Sequence, residues 1–239
     1  MAPGSVDGLD GRPLNAESSY DRTGTDWPLA NGRNTSDRQS AVFGRVEDSP
    51  LSVAVSRPRR RLCEQLLLDS GQADHAYARY GLSANRAGTY LAWFRAVAKK
   101  YPQRPRDAIL ADLVQHTPGD EGKWFAAAKD AKLFDEAIAL ANATPCDPKT
   151  LTRAARDFAQ ASPVFAVEAG LAALRWLVGG YGYEITSLDV RAAYAHTLTA
   201  ASNACVREAT EQRFRSLFNH PTARTGLVAD VIGRELGLR

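Results

Sequence analysis

From Arg59 onward, apolar residues recur at intervals of three and four, the period of an amphipathic helix. The spacing predicts a first helix over 59–70. It carries Leu62, Gln65, Leu66 and Asp69 on one side, with Leu67 and Leu68 beside them, and stops at Gly71, a residue suited to a left-handed C-cap. A short helix over 74–80 ends at Gly81. The next, over 87–101, carries Tyr90, Leu91, Phe94, Val97 and Ala98 on one face and is closed by Pro102. Pro105 suits the first turn of another helix, striped by Ile109, Leu110, Leu113 and Val114.

Further along, 121–132 turns Trp124, Phe125 and Ala128 inward, and 134–143 turns Ala137, Ile138 and Ala141 inward. Asp147 and Pro148 read as N-cap and first helical position of the next helix, and Ser162-Pro163 opens another over 164–178. Gly179-Gly180-Tyr181-Gly182-Tyr183 ends that one. Thr186 with Asp189 forms a capping-box pattern ahead of Val190, Ala193, Tyr194, Thr197 and Leu198. Strong helical patterning closes over 204–218, and a weaker stretch follows over 227–236. Alternation with a period of two is absent over 57–220. The predicted fold is therefore all-α. Residues 121–210 hold 23 alanines, enough small side chains for helix axes to approach closely. The helical pairs recur about every 30–40 residues, the spacing of stacked repeats. The predicted architecture is a set of antiparallel helical hairpins in an α-solenoid-like stack.

Two stretches carry a family likeness. Leu133-Phe134-Asp135-Glu136-Ala137-Ile138-Ala139-Leu140-Ala141, followed by Pro145-Cys146-Asp147-Pro148, resembles the second helix and exit turn of a tetratricopeptide-type repeat. Gly71-Gln72-Ala73-Asp74-His75-Ala76-Tyr77 is similar to the turn of another such hairpin. Trp124 is followed by Ala127, Ala128 and Ala131 where that signature has Leu-Gly and Tyr, so the likeness is to a divergent member. Residues 62–217 also resemble bacterial helical-repeat proteins, some of which carry a zinc-finger module without a counterpart here. The resemblance implies the helical-repeat fold of a bacterial protein, and no activity.

The first 56 residues differ from this pattern. They hold six of the 18 glycines, four of the 12 prolines, eight acidic residues, five arginines and no lysine, for a charge of −3. No apolar period runs through them, so 1–56 reads as a disordered or non-native tail. The domain is expected over 57–220, with 221–239 as an extension holding one short helix. The chain beyond the tail carries 25 basic and 19 acidic residues, so the net +3 of the whole understates its basicity.

Composition narrows the chemistry. Cys63, Cys146 and Cys205 are odd in number and far apart, and the four histidines are isolated, which predicts neither a disulfide framework nor a metal site. No nucleophile elbow, phosphate loop or HExxH pattern occurs, so no catalytic residue and no cofactor is expected. No apolar run approaches a membrane span and the first residues lack a signal pattern, which predicts a cytoplasmic protein.

What remains is binding. A helical stack offers a groove for a protein or peptide partner, with Trp93, Trp124, Tyr181 and Tyr183 as aromatic contacts and Lys99, Lys100 and Arg104 as cations. The tryptophans read first as core anchors, and the cations first as solvated helix ends. The alternative is a DNA- or RNA-associated accessory factor. It would use Arg57, Arg59, Arg60 and Arg61 together with the cluster Arg95, Lys99, Lys100, Arg104 and Arg106. A second alternative is an enzyme with an unrecognised site.

Overall fold

The computed structural model describes residues 56–219 and 226–237. The tail read at 1–56 lies outside them, save for Ser56. Among the described residues every regular element is helical and none is a strand, as the periodicity predicts.

Helix α1 (Arg57–Asp69) starts with proline in its first turn and ends at Gly71, whose φ of +74° closes a left-handed cap through Gln72 N–H to Leu67 O at 2.8 Å. Its faces are not arranged as the apolar spacing suggests. Glu64 is fully buried, whereas Leu62 and Leu66 are 61% and 60% exposed. Leu67 and Leu68 alone of its leucines pack on the core.

The short helix read as ending at Gly81 in fact runs on. Helix α2 (Ala73–Ala76) passes through a π-helical turn (Tyr77–Gly81) into α3 (Leu82–Ala84). Gly81 is needed for closeness and does not act as a stop. A Cβ there would come within 2.9 Å of the Tyr77 ring and 3.3 Å of the Tyr101 ring. Helix α4 (Tyr90–Lys100) is capped by Thr89, whose hydroxyl accepts from Ala92 N–H at 3.1 Å. Helix α5 is Arg106–Gln115.

The single helix expected over 121–132 is divided. A 3-10 turn (Glu121–Trp124) leads into α6 (Phe125–Asp130). The cause is Gly122: its amide donates to Thr144 Oγ1 at 2.8 Å, and a Cβ there would lie 2.7 Å from Pro145 O. The backbone is pressed against the turn that precedes the next hairpin.

Helices α7 (Phe134–Ala143) and α8 (Pro148–Asp157) follow. Asp147 caps α8 by accepting from Lys149 N–H and Thr150 N–H at 3.3 and 3.0 Å. Helix α9 (Pro163–Val178) is apolar on nearly all sides, which marks a helix enclosed by others. It packs on α7, α8, α10 (Ser187–Asn203), α11 (Arg207–Ser216) and α12 (Leu227–Ile232). That is a hub, and it differs from a stack in which each hairpin meets only its neighbours. The α9–α10 crossing is tight: a Cβ on Gly170 would overlap the Thr197 hydroxyl. Both halves of the Thr186–Asp189 capping box form at the start of α10.

Candidate functional site

Helix α8 is short and sharply two-sided. Leu151, Ala154 and Ala155 face the core, while Lys149, Arg153 and Arg156 fall at i, i+4 and i+7 on the other side. Those three cations form one rim of a cleft of about 340 Å³ between α8 and α10. The floor is apolar, made by Pro148, Leu177, Ile185 and Ala192. Thr152, Asp189 and His196 complete the walls.

The cations are held at the surface. Lys149 Nζ donates to Glu184 O at 3.1 Å and lies 3.7 Å from Asp189. Arg153 Nε donates to Lys149 O at 3.1 Å, and Arg156 Nε to Asp157 at 2.8 Å. Asp189 is occupied as a cap: the Thr186 amide and hydroxyl hold its carboxyl below the usual range. Burial, and then the charge on Arg156, push the His196 pKa down, so its ring is neutral near pH 7. The wall therefore offers a neutral imidazole among three cations, each with a carboxylate beside it at the surface: Asp189 for Lys149, Asp147 at 3.8 Å for Arg153, and Asp157 for Arg156.

The loop that carries Tyr181 and Tyr183 abuts the floor of this cleft. Gly182 has φ +119°, and a Cβ there would come within 2.6 Å of Ile185 and 3.4 Å of Pro148, both of which line the floor. Tyr183, the next residue, is 81% exposed and does not line the cleft. Tyr181 packs edge-on against Trp176, ring centroids 5.0 Å apart.

The other expected contacts are dispersed. Trp93 and Trp124 are buried, their indole N–H groups donating to Leu82 O at 2.9 Å and Thr117 Oγ1 at 2.7 Å. Both are therefore core residues and cannot meet a partner. Lys100 turns inward to Glu64 at 2.7 Å. Arg104 lies over the Tyr77 ring, 3.9 Å from its centroid, and reaches Asp74 at 3.2 Å. Lys99 alone of that group faces a cleft, a separate one shared with Arg95 and Arg106. Arg57, Arg59 and Arg61 are exposed along α1, with Arg61 Nε on Ala84 O at 3.1 Å, and Arg60 is half-buried.

Lys149, Arg153, Arg156 and His196 are absent from the residues expected at sequence level. The signal existed in the four- and three-residue spacing of the α8 cations. Their facing wall lies about 30–45 residues on in sequence, which no local pattern reveals. No group of acidic, cysteine and histidine side chains suited to a metal ion occurs among the described residues. No described helix is long and apolar enough to cross a membrane. No family model, curated protein or solved structure matches the chain.

Proposed function

We propose that the chain is a non-enzymatic helical interaction module, and that the α8–α10 cleft seats an acidic, amphipathic segment of a protein partner. The observation that carries this is the linear array of cations over an apolar floor. Lys149 and Arg156 are seven residues apart, roughly 10 Å along the helix axis. A row of that length matches carboxylates spaced along a peptide better than it matches one compact anion. The apolar floor takes the intervening side chains. The repeat reading rests on the resemblance carried by 71–77, 133–141 and 145–148, and a bacterial setting on that over 62–217.

The test is fluorescence polarisation with a labelled peptide of about twelve residues alternating Glu with Leu, against its Lys–Leu counterpart. The acidic peptide is expected to bind, more weakly as salt rises, and Arg153→Glu with Arg156→Glu to weaken it by about tenfold or more. Equal binding of both peptides, or of both proteins, overturns the reading. The nucleic-acid alternative draws on fewer cations than the sequence offers, because Lys100 and Arg104 are engaged within the fold.

A further inference from the structure

A second cleft gathers its charge at one point instead of along a line. Phe94, Arg95, Ala98 and Lys99 of α4, Arg106 at the start of α5 and Asp130 at the end of α6 line a space of about 270 Å³. Arg95 grips both carboxylate oxygens of Asp130, through Nη2 and through Nε at 3.2 Å. That bond holds the Asp130 carboxyl below its ordinary range, so it is ionised and cancels one positive charge. Lys99 and Arg106 have no carboxylate within ion-pairing distance among the described residues. Three cations against one anion leave the cleft at +2.

That arrangement is unfavourable as it stands. Lys99 and Arg106 line one cleft, and Arg106 occupies the first position of α5, where the helix dipole disfavours a cation, with Asp107 the acidic residue of that turn. No side chain caps that helix end either. A dianion relieves each of these terms at once. Guanidinium groups offer paired N–H donors matched to phosphate oxygens, and Phe94 and Ala98 provide an apolar base for what the phosphate is attached to.

We propose that this cleft binds a small organic phosphate monoester in its doubly charged form, with Lys99 and Arg106 as the main phosphate contacts. The site is distinct from the α8–α10 cleft and does not depend on peptide binding there. It is tested by following backbone amide shifts of the isotope-labelled full chain during titration with phenyl phosphate. Inorganic phosphate, acetate and a single-stranded thymidine oligonucleotide serve as parallel arms.

Phenyl phosphate is expected to shift the amides of α4 and the start of α5 saturably below ~1 mM, more tightly than inorganic phosphate, with acetate inert at that concentration. Lys99→Gln and Arg106→Gln are each expected to weaken it about fivefold or more, and together to abolish it. Both side chains are exposed, and circular dichroism of each variant checks that the helices remain. The proposal is overturned by any of four results: no saturation up to ~10 mM, variants that bind like the parent, acetate or inorganic phosphate equal to phenyl phosphate, or the oligonucleotide binding here more tightly than the monoester.

Discussion

The helices before the 3-10 turn and those after α6 are held together by different means. In the first region a carboxylate sits where a core residue would be. Glu64 accepts from Asn85 Nδ2 at 2.5 Å, Tyr101 OH at 2.6 Å and Lys100 Nζ at 2.7 Å. Tyr77, edge-on to Tyr101 at 5.0 Å, donates to Asp112 at 2.7 Å under the guanidinium of Arg104. Burial first, then these acceptors, drive both tyrosine pKa values far above the ordinary range, so the hydroxyls remain donors. In the second region α9 is wrapped by apolar and small side chains, and its Trp176 donates to Ala141 O at 2.8 Å. A buried polar network is added to apolar packing in the first region, whereas close packing around α9 dominates the second. A polar network fails when one member is lost, whereas a close-packed crossing fails when an atom is added.

The sharpest way to test that contrast is Glu64→Ala. It strands Tyr101, Asn85 and Lys100, and the expected loss is about 3 kcal/mol by urea denaturation, at the low end for a broken buried pair because Lys100 is a quarter exposed. Hydrogen exchange should rise in α1 to α3 while α8 to α10 remain protected. Uniform acceleration across the chain would show one cooperative unit and dissolve the comparison.

Gly170→Ala should do the reverse. The added methyl overlaps Thr197, and about 2 kcal/mol should be lost, with exchange rising at the α9–α10 crossing. Thr197→Ala in the same chain should restore part of that loss, since the two positions share one space. Full additivity would place the strain elsewhere.

Acid should act on the second region through His196. Its folded-state pKa lies below the ordinary 6.5, so the unfolded chain takes the proton first. Stability from this group is present at neutral pH and declines as pH falls through 6.5. The melting temperature should drop from pH 7.5 to 5.5 more in the parent than in His196→Gln, and equal drops would remove His196 as the cause.

The smallest effect expected is kinetic. Burial pushes the Cys146 thiol up to about 12, so at pH 8 it should resist a disulfide reagent that labels exposed Cys205 at once. Labelling of half-buried Cys63 should quicken in Glu64→Ala, and labelling of Cys146 should not.

Much of the second region was legible in the sequence. Asp147-Pro148, Ser162-Pro163 and Thr186 with Asp189 each mark a helix start that the structure keeps, because side-chain caps at Asp147 and Thr186 and a first-turn proline at Pro163 are local chemistry. The first region was less readable. Glu64 is a charged residue beside Leu62 and Leu66, and nothing nearby announces its burial. Its partners are 21, 36 and 37 residues away. Gly122 divides a helix for the same kind of reason, since Thr144 lies 22 residues on. The α8 cations were visible as a spacing, but the wall they face was not.

The π-helical turn at Tyr77–Gly81 fits one residue more into its loop than an α turn would. Each residue of a helix advances it by about 100° around its axis. The wider turn absorbs that surplus residue, so removing one between Tyr77 and Gly81 would restore an ordinary α turn and leave Asn85 facing the Glu64 carboxylate. The turn is thus a reserve of chain length: it tolerates the loss of a residue that a regular helix could not lose without turning its faces.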